Sequence, residues 1–263
     1  MLGRSAGIAL LALLMMVAGP VPFAPGQGAD RVTTTAVVRL HVLRSEGGRW
    51  LNFLWASGFF IDVAGTALTT SRFVRPVRDQ PNTYQMLAIK DGTFYGATLV
   101  CAAAVTPRPG PLADDELEKD VAAVKLVASD LPFDTWVYNP PEGQSVVIAR
   151  KHRGPLPAFQ PLAFGPDPRI SDRVRMTAYG QLLQLDPIPR PWSAEGQVTR
   201  VFTGSGSVPL FAVDLGSARI NWISGAVVVN AEGLAVGLSA WSRSGPPAEE
   251  VSISASALRE PCR

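Results

Sequence analysis

The sequence predicts an all-β protein built as two six-stranded antiparallel β-barrels with a short C-terminal helix. Three observations carry this expectation. Short runs rich in Val, Leu, Ile and Phe recur along the chain, separated by clusters of Pro, Gly, Asn and Asp. The 23 prolines and 24 glycines among 263 residues suit a chain that turns often. No helical period of any length is evident before the tail that begins at Ser252. With 47% hydrophobic and 17% charged residues, the chain has the apolar content for a sizeable core and lacks the composition of a disordered one. The net charge of +2 makes no case for a nucleic-acid partner, which needs a clustered basic face.

The elements follow in order. Residues 1–29 have the layout of an export signal and a linker. Arg4 supplies a positive charge, the uncharged apolar run Gly7 to Gly19 follows, and Val17 and Gly19 place small residues at a cleavage site. The run is short for a membrane span, so an uncleaved anchor is the alternative, and the only route by which this chain would touch a membrane. Pro20 to Ala29 is too rich in Pro and Gly to continue a helix. Secretion or residence in the periplasm is the expected destination.

Residues 30–138 are expected to form the first barrel. Its strands are Thr35 to Leu43, Trp50 to Asp62, Thr66 to Val74, Tyr84 to Ile89, Thr93 to Val105 and Val121 to Val127. Asp91-Gly92 between two of these runs is a tight hairpin signal. Leu131 to Gly143, rich in Pro, Asn, Asp and aromatics, reads as the crossing to the second barrel, 139–263. There the strand runs are Ser145 to Arg150, Phe159 to Phe164, Arg173 to Tyr179, Gly196 to Phe202, Leu210 to Asp214, Gly225 to Val229 and Leu234 to Trp241. The tail Ser252 to Glu260 is expected to be helical, capped by Ser252 or Ser254.

Two cysteines, Cys101 and Cys262, permit one disulfide in an exported chain. The alternative is a buried thiol at Cys101 and a loose tail. Neither cysteine has the company a metal site needs, and no carboxylate or histidine cluster has metal-ligand spacing, so no cofactor is expected.

Two segments carry candidate chemistry. Ser224-Gly225 sits between a turn and the apolar strand Ala226 to Val229. A nucleophilic serine needs such a tight loop, with neighbouring amides aimed at a developing oxyanion. A Ser-Gly pair before a strand is also the mark of an ordinary turn. Asp120 stands just ahead of the apolar run Val121 to Leu126, where a carboxylate can orient an imidazole or simply be a strand-end acid.

Taken together these segments resemble the trypsin/chymotrypsin family of serine proteases, in particular its bacterial exported branch. Ser57-Gly-Phe-Phe-Ile-Asp62, Gly65 and Leu68-Thr69 resemble that branch's approach to the catalytic histidine. Asp120 to Leu126 resembles its aspartate segment, and Asp214, Ile220-Asn221 and Ser224-Gly225 its run into the serine. The resemblance implies two β-barrels with an active cleft between them. It also implies that Ser239-Ala-Trp241 is a substrate-facing strand and that Ala218 lies near the base of a specificity pocket.

The departures concern the chemistry. Arg72 stands in the histidine position. Its guanidinium, with a pKa above about 12, accepts no proton at neutral pH. An Arg72–Asp120 ion pair is expected in place of the His–Asp hydrogen bond. Trp222 and Ile223 replace the small residues before the serine, and Trp222 is expected to fill the oxyanion site. The two histidines, His41 and His152, are expected to be surface or strand residues rather than a substitute base. The resemblance with these departures implies an exported pseudoprotease that binds a protein or peptide. The alternatives are an active serine endopeptidase that uses Ser224 with a non-standard base, and a purely structural envelope protein.

Overall fold

A computed structural model describes residues 27–103, 120–138, 145–179, 190–204, 207–216, 224–243 and 249–260. The first sheet is built from β1 (Val37–Glu46), β2 (Arg49–Phe60), β3 (Thr66–Thr69), β4 (Tyr84–Lys90), β5 (Thr93–Ala102) and β6 (Ala122–Val127). The order β4-β1-β2-β3-β6-β5 closes on itself through β4–β5 pairing, giving a six-stranded antiparallel barrel. The β4–β5 hairpin turns through Asp91 (φ 49°) and Gly92 (φ 72°), both left-handed, as a two-residue turn matching the twist of its strands requires.

The second barrel comprises β9 (Arg173–Tyr179), β10 (Pro191–Thr203), β11 (Pro209–Asp214), β12 (Val227–Val229), β13 (Ala235–Arg243) and β14 (Glu249–Ser254). It closes in the order β10-β11-β14-β13-β12-β9. The all-β, two-barrel architecture expected from the sequence is the one observed.

The period-2 alternation of a strand decides which core each side chain enters. In β1, Val38, Leu40 and Val42 fill the first barrel, while Val37 points to the contact between barrels. In β12, Val228 fills the second barrel, while Val227 and Val229 join the contact. That shared layer takes Val37, Phe59, Leu68 and Val121 from one side and Tyr179, Leu210, Leu238 and Ile253 from the other. The chain can therefore place residues at the barrel-to-barrel seam simply by position in a strand.

Five differences from the sequence reading stand out. The run expected to be a strand from Thr66 to Val74 ends at Thr69, and α2 (Ser71–Asp79) follows. Ser71, Phe73 and Val74 are its buried face, and Arg72, Arg75 and Arg78 are not buried. An earlier helix, α1 (Gln27–Ala36), precedes β1. The strand expected to open the second barrel, β8 (Val146–Lys151), instead joins the first sheet. It pairs in parallel with β5 and antiparallel with β7 (Thr135–Tyr138), because Ile148 and Ala149 bury against Leu43, Leu87, Ile89 and Phe94. The run Phe159 to Phe164 contributes a single bridge, Phe164 to Ala235. At the C-terminus, β14 runs to Ser254, and that residue is the N-cap of the short helix α3 (Ala255–Leu258).

Candidate functional site

The site forms where three segments meet at the seam. Arg72 lies in the first turn of α2, Asp120 just ahead of β6, and Ser224 just ahead of β12.

Asp120 is fully buried. Its Oδ1 accepts the backbone N–H of Arg72 at 2.9 Å, and its Oδ2 accepts Arg72 Nε at 2.8 Å. The carboxylate thus does two jobs. It pairs with the guanidinium, and it caps the N-terminus of α2 from 48 residues away, where a negative charge meets unsatisfied amides and the positive end of the helix dipole. The N-cap residue itself, Thr70, makes no side-chain cap hydrogen bond. Burial pushes the Asp120 carboxyl up to about 6, against the opposing pull of the Arg72 guanidinium and the amides of Arg72 and Ser71.

The Arg72 guanidinium continues across the seam. Its Nη2 donates to the carbonyl of Ala240 in β13, and its Cζ lies 5.1 Å from the centre of the Trp241 ring. One side chain therefore joins a buried acid of the first barrel to a backbone acceptor and an aromatic face of the second.

Ser224 is held separately. Its Oγ lies 2.7 Å from the hydroxyl of Thr70, which is fully buried. Its carbonyl accepts the N–H of Ser57 at 3.0 Å. The next residue, Gly225, has φ +80°, and a Cβ there would come within 2.0 Å of the Ser57 carbonyl oxygen. Only glycine fits. Ser57 is itself fixed on both sides, its carbonyl accepting Thr69 Oγ1 at 2.8 Å and its Oγ accepting the Tyr179 N–H at 2.8 Å. The serine loop is thereby stapled to β2 of the opposite barrel.

The remaining predicted residues divide. Ser239 is buried, and its backbone bonds Gly225 and Ala226, so it is part of the barrel wall. Trp241 is half-buried beneath Arg72. Ala218 and Trp222 lie outside the described residues. Cys101 is disulfide-bonded, and Cys262 lies outside the described residues. His41 is buried in β1, with Nδ1 at 2.6 Å from Asn52 Oδ1. Burial, reinforced by Arg39, pushes its imidazole down to about 3 and keeps it neutral. His152 Nε2 lies 2.8 Å from the Pro155 carbonyl, and its ring stacks on Tyr95 at 4.9 Å. Each histidine is engaged away from Ser224.

Two participants were missed in the sequence. Thr70, the partner of Ser224, is one hydroxyl among several in Thr69-Thr70-Ser71 and has no motif to mark it. The Ala240 acceptor is a backbone atom, which no side-chain pattern reports.

Chemically, the arrangement offers a serine hydroxyl bonded to another hydroxyl and a fixed cation bonded to a carboxylate and a carbonyl. Among the described residues, no group of three or more His, Cys, Asp or Glu could hold a metal ion. No described helix is long and apolar enough to cross a membrane.

No family model matches the chain, and no curated protein matches it. Among solved structures it is similar to the serine endoprotease from Yersinia pestis, with 16% sequence identity and a TM-score of 0.58. The match covers 92% of this chain and 65% of that chain, so the protein spans about two thirds of the length of the endoprotease chain. At this identity the likeness shows the fold alone, that of two closed β-barrels.

Proposed function

We propose that this chain is an exported, catalytically inactive serine-protease homologue that works by binding a protein or peptide. The observation that carries the reading is the bonding of Arg72. In the position of a general base it holds a permanent cation, bonded to Asp120 on one side and to Ala240 on the other. A guanidinium accepts no proton from Ser224. Losing the histidine of a serine protease costs on the order of 10⁶ in kcat. Ser224 Oγ pairs with Thr70, a hydroxyl with no basicity to offer.

Binding remains feasible where β13 faces the cleft. Among the described residues β12 pairs β13 from Ala235 to Leu238, and Ala240 and Trp241 lie past the end of that pairing. An extended peptide adding to this edge would compete with Arg72 for the Ala240 carbonyl. Arg72 would then act as a latch on the groove. Export rests on the N-terminal signal layout of Arg4 and Gly7 to Gly19.

The second reading, an active endopeptidase with an unusual base, is favoured by the retained Ser224-Gly225 geometry. Fluorophosphonate labelling and casein turnover by the wild type, Ser224→Ala and Arg72→His separate the two. We expect wild type and Ser224→Ala to be equally unlabelled and inert. Wild-type labelling that disappears in Ser224→Ala would overturn the proposal.

A further inference from the structure

A cavity of about 380 Å³ opens on the outer face of the second barrel, beside Thr33 of α1. It shares no lining residue with the site of Arg72, Asp120 and Ser224. Its volume lies at the lower end of the range of about 300–1,000 Å³ that small-molecule sites occupy. Strand register explains the lining, because residues directly opposed in an antiparallel pair share a face. Arg175 of β9 stands opposite Glu195 of β10 and Val229 of β12. Arg173 stands opposite Gln197, which stands opposite Asp214 of β11. Two cations therefore lie on one strand and two anions on the next two, while Leu215 and Val229 supply apolar wall. Since β9 and β11 are two strand spacings apart, Asp214 lies about 10 Å across the sheet from the arginine strand.

The ion pair inside is unequal. The Arg175 side chain is 8% exposed and that of Glu195 is 53% exposed. Arg175 Nη2 lies 3.4 Å from Glu195 Oε1, against 2.8 Å between Arg72 and Asp120. The guanidinium is fixed in the wall, whereas the carboxylate can turn into water. A ligand carboxylate can therefore take the place of Glu195, and the exchange strands no charge, since Glu195 is solvated as it leaves. Asp214 offers the opposite end. It is exposed, and its Oδ1 accepts the Gly216 N–H at 2.7 Å, which fixes the carboxylate on the cavity rim. With charges of both signs set apart in equal number, the wall favours neither a bare anion nor a bare cation. We propose that this cavity binds a small zwitterion, a short peptide with free termini, its carboxylate at Arg175 and its ammonium at Asp214.

Titration of the protein with L-alanyl-L-alanine, followed by amide chemical shifts, tests this. The expected result is saturable binding with a Kd of about 1 mM or tighter, with shifts centred on Gly196, Gly216 and Asn230. The N-acetylated dipeptide and the dipeptide amide, each lacking one charge, should bind at least about ten-fold more weakly. Asp214→Asn should weaken binding of the free dipeptide by a similar factor. Glu195→Gln should instead tighten it several-fold, because it removes the competing carboxylate while Arg175 stays in place. Both altered side chains are exposed, so the fold is kept, as unchanged circular dichroism would verify. No binding at millimolar dipeptide, equal binding of the capped forms, or an affinity indifferent to both substitutions would each overturn the proposal.

Discussion

The two sides of the cleft keep different things. Around Ser224 the backbone does the holding: a left-handed Gly225, a carbonyl bonded to Ser57, and a turn stapled to β2. Around Arg72 a side chain does the holding: a cation bonds an acid, a carbonyl and an aromatic face. The contrast shows that the seam needs its geometry for packing, whether or not it needs a reaction. The serine loop closes the barrel contact, and any side chain of the right reach can complete the acid's pairing. Arginine does both jobs of a strut, since it is always charged and has donors on separate nitrogens.

The largest expected effect is on the serine side. Gly225→Ala would drive a methyl group to within 2.0 Å of a carbonyl oxygen at φ +80°, and should cost at least about 4 kcal/mol or prevent folding. Urea denaturation of the variant checks it. On the other side, Arg72→Met leaves Asp120 buried without its countercharge and should cost about 3–5 kcal/mol at neutral pH. If the two variants proved equally mild, the seam would not be held as described.

The pH dependence sharpens the contrast. The folded-state Asp120 carboxyl is raised from 3.8 to about 6, so between these values the folded state holds more protons than the unfolded chain. Its contribution to stability is therefore fully present below about pH 4 and is lost as pH rises toward 6, a change on the order of 3 kcal/mol. In Arg72→Met the carboxyl should rise further and the loss should continue above pH 6. His41 acts in the opposite sense. Its depressed pKa of about 3 means that stability falls as pH drops below about 6.5. The Asp120 contribution is thus read as the difference between wild type and Asp120→Asn denaturation across pH 4 to 8.

The smallest effect belongs to the hydroxyl pair. Thr70→Ala removes the partner of Ser224 and should cost about 1 kcal/mol, measured by chemical denaturation. It should not make Ser224 reactive, because no base replaces the lost hydroxyl.

Much of this was legible in the sequence. The Asp91-Gly92 hairpin and the alternating runs report local physics. The helix of Arg72 was not legible, since Phe73 and Val74 extend the strand pattern of Ala67 to Thr69 and Pro76 argues against a helix. What holds that helix is Asp120, a cap supplied by another segment, which no local pattern encodes. The position of β8 was hidden for a similar reason. A strand's own residues state that it is a strand, but its choice of sheet depends on which apolar face is waiting, here that of Leu43, Leu87 and Phe94.

The most direct measurement is a double-mutant cycle in urea at pH 7 on Arg72→Met and Asp120→Asn. If Arg72 is a strut completed by Asp120, the double variant should be less damaged than the sum of the singles, with a coupling energy of roughly 2 kcal/mol or more. Effects that add to within about 0.5 kcal/mol would contradict the account, because they would show that the two residues stand side by side without holding each other.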